Sequence, residues 1–342
     1  MRRAKGAPLR RSVCAAMLAG LAAVLGGSST RANDSTAELT TGGLVMAKTA
    51  EIEMRSEDLA VSTQQIAVRY RFFNHAANDV TATVAFPMPD IVWEGPDTNV
   101  AVPDPDSPNF LDFQTLVDGR AVEAQNEQKA FAGGVDVSAR LQALKIPLAP
   151  QRDATWAALD ALPRPTQDQL VKDGVATPND YDVGKGMEHH LAPKWTLKSS
   201  FYWRQTFPAG KEIAVEHRYR PSVGETVGTM LGSSDIDPQD LRRYETLYCV
   251  DKAFLTGARQ AAGHAESPSY ERRIAYVLTT GANWAGPIGD FHLTVDKGAP
   301  DSLVSFCADG VKKIGPTLFE VRRADFTPTQ DLHILILYRP KK

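Results

Sequence analysis

Apolar and polar residues alternate from Gln65 to Phe73, with Ile66, Val68, Tyr70 and Phe72 on one side and Arg69 and Arg71 on the other. Successive side chains of a strand point to opposite faces, so this period predicts a strand with one buried face. A turn-rich connector, Asn74–Asp79, leads to Val80, Ala82, Val84 and Phe86, and residues 65–86 read as a β-hairpin. Pro87 and Pro89 end it, because proline donates no ladder hydrogen bond. Ile52, Met54, Leu59 and Val61 alternate before this segment, and Leu111, Phe113, Thr115 and Val117 after it. Trp195, Leu197, Phe201, Trp203 and Phe207 share one parity, Pro208–Lys211 turns the chain, and Ile213, Val215, His217 and Tyr219 return, a second expected hairpin.

The period changes between these blocks. Val137, Leu141 and Leu144 fall at helical spacing after Asp136, Trp156 and Leu159 suggest a second short helix, and Thr166 with Gln169 reads as a capping box. Residues 135–192 are therefore expected to form a helical or irregular insertion. Beyond Gly224, Asp237-Pro238 opens a helix and Asp251 another; four strands follow at 271–279, 288–296, 302–307 and 331–338. The pattern predicts a mainly β protein of two sandwich-like domains. The first, 33–223, carries the insertion, and the second, 224–342, is β-rich and entered through short helices.

The first 32 residues follow a different logic. Arg2, Arg3, Lys5, Arg10 and Arg11 precede an apolar run, Val13–Leu25, and a small-residue exit ends at Thr30-Arg31-Ala32. That order predicts a secretory signal peptide cut after Ala32, and hence a periplasmic protein. Arg10-Arg11 lacks a twin-arginine continuation, so the general secretory route is expected. The cut removes six of the 38 Lys/Arg and none of the 41 Asp/Glu, which takes the net charge from −3 to −9. So acidic a chain is ill suited to nucleic acid, and no later apolar stretch is long enough to cross a membrane. It also removes Cys14, leaving Cys249 and Cys307 to pair in an oxidising compartment.

Candidate chemistry is sparse. Glu188, His189 and His190 with His217 are the best metal-ligand set, but neighbouring residues need irregular backbone to aim at one ion, and a solvated loop pair is the simpler account. Gly232-Ser233-Ser234-Asp235 lacks the nucleophile elbow of serine hydrolases, and Gly224, Gly228 and Gly232 are followed by no phosphate-binding Lys. Asp97, Asp104, Asp106 and Asp112 lack calcium-loop spacing. Trp195, Phe201, Trp203 and Phe207 could form an aromatic binding platform, but at strand parity they read as core. No catalytic residue and no cofactor is assigned. The expectation is a non-catalytic envelope module binding a protein partner or ligand, with a metal-dependent or other envelope hydrolase as the alternative.

Several stretches carry a family likeness: Asp34-Ser35-Thr36-Ala37-Glu38-Leu39, Glu53-Met54-Arg55-Ser56-Glu57-Asp58-Leu59, Ala85-Phe86-Pro87-Met88-Pro89-Asp90, Trp203-Arg204-Gln205-Thr206-Phe207-Pro208 and Thr279-Thr280-Gly281-Ala282-Asn283-Trp284. The chain resembles an exported bacterial family known only as domain of unknown function 4424, over nearly all of its mature length. The resemblance implies export and supplies no activity or site residues. A looser similarity of layout, through Val117-Asp118-Gly119-Arg120 and Glu127-Gln128-Lys129-Ala130, is to the β-sandwich shared by vault proteins and inter-α-trypsin inhibitors, which implies an interaction module by analogy of fold alone.

Overall fold

The computed structural model describes residues 33–340, except 41–42, 97, 99, 227 and 264–268. The expected signal peptide with its cut after Ala32, and Asp97, lie outside the described residues. The fold is mainly β, with several sheets and a few short helices. Two large sheets face each other. The first runs, in order, through the strands Val135–Asp136, Gln125–Ala132, Thr196–Phe207, Val80–Pro87, Ser35–Thr40 and Gly43–Ala47, with Ile91–Val92 also paired to Thr196–Phe207. The second runs through Lys312–Lys313, Leu318–Phe326, Ile288–Asp296, Ile52–Val61, Ile66–Asn74, Glu212–Tyr219, Gln114–Val117 and Arg120–Val122.

Both expected hairpins are corrected by this arrangement. Ile66–Asn74 pairs with Ile52–Val61 and Glu212–Tyr219 in the second sheet, whereas Val80–Pro87 pairs with Thr196–Phe207 and Ser35–Thr40 in the first. Likewise Thr196–Phe207 and Glu212–Tyr219 belong to opposite sheets. Each connector crosses the sandwich instead of turning within a sheet. Buried Asn74 ties the two crossings together: its Nδ2 donates to the carbonyls of Asn78 (3.0 Å) and Phe207 (2.8 Å), and its own carbonyl accepts from the Gly210 amide at 3.0 Å. The apolar faces then meet across the gap, as in the Phe72–Phe207 and Phe113–Phe201 ring pairs, 6.0 and 4.3 Å between centroids.

The segment beyond Gly224 is woven into the same body. Ile288–Asp296 lies parallel to Ile52–Val61 in the second sheet, from Asp290 against Ser56 to Val295 against Val61. A third sheet, Leu303–Phe306, Leu332–Tyr338, Tyr270–Tyr276, Val223–Thr226 and Val100–Ala101, also takes a strand from each side of the expected boundary. The run Leu332–Tyr338 is apolar on both faces because both are covered. Leu332, Ile334 and Ile336 enter the main core, and Leu335 and Leu337 pack beneath two helices.

The insertion holds helices α1 (Ser138–Ala143), α2 (Asp153–Asp160) and α3 (Arg164–Lys172), with a small core of its own around Leu141, Leu159, Leu170 and Trp195. Helix α3 begins at Arg164, so Thr166 lies inside it and the expected capping box is not formed; Pro163 and Pro165 set the start instead. Beyond the insertion come α4 (Pro238–Tyr248), capped by Asp237 Oδ1 on the Gln239 amide, and α5 (Lys252–Gly263), entered through Asp251 Oδ1 on the Phe254 amide. Cys249 ends α4 in a left-handed conformation and is disulfide-bonded to Cys307, just past the strand Leu303–Phe306. No helix among the described residues is long and apolar enough to cross a membrane.

Candidate binding groove

Helix α4 lies over the edge of the third sheet, and between them is a cavity of about 510 Å³ lined by Thr229, Asp235, Asp240, Arg243, Tyr244, Tyr248, Glu271 and Arg273 among others. The strand Tyr270–Tyr276 supplies Glu271 and Arg273 two residues apart, hence on one face, and α4 supplies Tyr244 and Tyr248 one turn apart. Glu271 is 1% exposed and fully engaged. It accepts from the Tyr244 hydroxyl at 2.9 Å, the Thr229 hydroxyl at 2.5 Å and Arg273 Nε at 2.9 Å. A second Arg273 nitrogen donates to the Tyr244 oxygen at 2.7 Å, which closes the network.

This network holds its protons tightly. Burial and the Glu271 charge push the Tyr244 phenol far above its ordinary range, and burial also raises Tyr248. Burial works against the Arg273 charge, but Glu271 more than offsets it, so the guanidinium is held on more firmly than usual. Arg243 lines the same cavity from the exposed side, and among the described residues no ion pair engages it.

A second depression of about 300 Å³ adjoins the first and shares Arg243, Tyr248 and Arg273 with it. Tyr219 and His333 also line it. The Tyr219 hydroxyl is buried and has no hydrogen-bond partner among the described residues. Such a group costs free energy unless something fills the partner's place. Burial pulls the His333 imidazole below its ordinary value, so it is neutral at physiological pH. A similar cavity beside the disulfide is less suited to recognition: Lys297, its buried cation, is turned onto the carbonyls of Pro300 and Ser302.

The sequence had no motif for this groove, because its charged residues are far apart in the chain and look like ordinary surface. The candidates that did stand out are not brought together. His217 is 0% exposed; its Nε2 meets Asp34 at 3.0 Å and its Nδ1 meets the Thr115 hydroxyl at 3.1 Å. His190 contacts Asp160 at 2.7 Å and Glu188 at 3.2 Å, and hydrogen bonds to both raise its pKa. His189 faces Asp180 instead, at 3.1 Å. Glu188, His189, His190 and His217 thus do not converge, and no metal-binding group of three such side chains occurs among the described residues. Trp195, Phe201, Trp203 and Phe207 are all buried and offer no platform. Ser233 is an exposed turn residue whose hydroxyl accepts from the Asp235 amide.

Among solved structures, a Legionella pneumophila protein described as a "putative nutrient binding protein" is similar at 15% identity and a TM-score of 0.41, over 90% of this chain and 70% of that one. At that distance nothing said of it passes to this chain. No curated protein matches. The family model of the domain of unknown function DUF4424 matches residues 32–335, and the chain belongs to that family.

Proposed function

We propose that this is an exported, non-catalytic binding protein of the bacterial envelope, cut after Ala32, which takes a small zwitterionic ligand in the groove beneath α4. The observation that carries the reading is the network of Glu271, Tyr244 and Arg273 at the groove floor. Recognition needs fixed donors and charges, and these are locked by one another and by burial. Catalysis by proton transfer needs a group that titrates near working pH, and the phenols here are held far above it. Arg243 and Arg273 would meet an anionic end, and Asp235 and Asp240 on the rim a cationic one. The adjoining Tyr219 hydroxyl is a ready polar contact for an extension of the ligand. A second partner surface has its own support. The hairpin Tyr181–Asp182/Met187–Glu188 leaves Tyr181, Val183 and Met187 about half exposed, which suits an envelope protein.

Thermal melts against a panel of zwitterions, simple anions and simple cations test the groove. A saturating zwitterion should raise Tm by roughly 2–8 °C. Arg243→Glu should abolish that shift and leave the unliganded Tm unchanged, since the side chain is exposed. Shifts that survive Arg243→Glu, or a panel without any shift, would reject the groove as the site.

A further inference from the structure

Asn33, Asp34 and Ser35 are each 0% exposed, and Asn33 is the residue that a cut after Ala32 would make the first of the chain. Chain ends usually fray at the surface unless something ties them down. Here the tie is elaborate. The Asn33 backbone N–H donates to the Thr280 hydroxyl, and the Asn33 carbonyl accepts from that same hydroxyl. Asn33 Nδ2 donates to Glu57 Oε2 at 2.9 Å, while its Oδ1 accepts from the Tyr70 phenol. The Tyr70 and Tyr276 hydroxyls lie 2.9 Å apart, and Tyr276 donates onward to Glu57 Oε1 at 3.3 Å. Asp34 meets His217, its carbonyl accepts from Trp284 Nε1 at 2.6 Å, and Ser35 Oγ accepts from Asn283 Nδ2 at 3.0 Å. The cradle is shaped closely around its occupant: a β-carbon on Gly281 would lie 2.7 Å from Asn33 Nδ2.

Charge in this cradle does not balance. Two buried carboxylates, Asp34 and Glu57, share the region with one imidazole, His217, which is already taken by Asp34. Among the described residues Glu57 has only neutral partners: the Asn33 carboxamide and the Tyr276 phenol. A buried carboxylate without a cation is costly, and proteins supply one or keep the acid protonated.

We propose that cleavage after Ala32 completes the fold, with the new α-ammonium of Asn33 as the missing cation of the Glu57 cradle. The inference rests on the export reading above. Hydrolysis of the Ala32–Asn33 bond consumes one water and leaves a carboxylate on Ala32 and a protonated amine on Asn33. The amine offers three donors where the peptide offers one: one is already placed on the Thr280 hydroxyl, and the charge falls on the residue whose own side chain bonds Glu57 and Tyr70. In the uncut chain the same Asn33 nitrogen is a neutral peptide N–H and brings no charge. Processing then acts as a stability switch: the protein becomes fully stable only on the far side of the membrane, after the signal has gone.

The test compares residues 33–342 bearing a free α-amine with the same chain retaining Ala32, and with the chain acetylated at Asn33. Either change should lower Tm by about 5 °C or more at neutral pH, and in Glu57→Gln the penalty should shrink to about 1 °C. The folded free amine should also resist an amine-reactive reagent until urea exposes it, a readout that needs no variant. Equal melting of cut and extended chains, an equal penalty with Glu57 and with Gln, or a freely reactive amine would each overturn the proposal. N-terminal sequencing of the exported protein separates the two ideas. A start at Asn33 without a stability difference rejects this inference alone, and a start elsewhere rejects the export reading with it.

Discussion

At Glu57 the fold sets a carboxyl against its environment. Burial, opposed by hydrogen bonds from Asn33 and Tyr276 and assisted by the charge of Asp34, raises its pKa from 4.5 to about 8 while the chain continues through Ala32. A carboxyl raised in the folded state favours folding only when protonated. The chain retaining Ala32 should therefore be most stable below about 4.5 and lose stability as pH rises towards about 8. Asp34, His217, Tyr70 and Tyr276 surround the same site, so the assignment needs a variant. Urea melts across that window should show the slope vanish in Glu57→Gln, and a slope that persists would place the titration elsewhere. Gly281 gives a steric counterpart. Gly281→Ala would press on Asn33 Nδ2 and on Ile288, and should cost roughly 1–3 kcal/mol, read from the urea midpoint. Neither residue was conspicuous in the sequence. Glu57 looked like one acidic member of a strand, since its buried partner Asn33 lies 24 residues earlier in the chain.

At the level of elements, period-two alternation located strands well and partners poorly. Ile66–Asn74, Val80–Pro87, Thr196–Phe207 and Glu212–Tyr219 all lie where the pattern put them. Alternation records which face is buried, and that face is the same whether the next strand turns back in its own sheet or crosses to the other. The connectors decided the matter, through Asn74. Leu318–Phe326 escaped notice because Arg322, Arg323 and Asp325 break its apolar rhythm, and Ser35–Thr40 because its buried residues are mostly polar. The parallel pairing of Ile288–Asp296 with Ile52–Val61 depends on Gly289, where a β-carbon would lie 2.7 Å from the Arg55 carbonyl oxygen, at a bulge in Ile52–Val61. Gly289→Ala should cost about 1–3 kcal/mol, visible as a lower urea midpoint, and an unchanged midpoint would show the strands yield more easily than this packing implies. The disulfide belongs to this scale too. It closes a loop of 58 residues between the end of α4 and the third sheet, so Cys249→Ser with Cys307→Ser should lose ~4 kcal/mol in denaturant melts.

Across the whole molecule, the segments on either side of Gly224 share two sheets and one apolar core, in which Phe72, Phe207 and Trp284 meet. Length and the break in pattern suggested a seam there, but strand pairing across it is a long-range property that local spacing does not encode. The candidate groove was illegible for the same reason. Thr229, Tyr244, Glu271 and Arg273 converge only because α4 lies over the third sheet, and the disulfide at its end holds it to that surface. At the N-terminus the basic start, apolar run and small-residue exit carry the expectation of a cut after Ala32, and what the fold adds is that the next residue, Asn33, is buried. Export, cleavage and ligand binding meet in one observable. Native mass spectrometry of the protein taken from the periplasmic fraction of its own bacterium should find a chain of residues 33–342 that carries a small bound molecule. A bare chain, or one retaining residues 1–32 and found with the cytoplasm, would contradict the account.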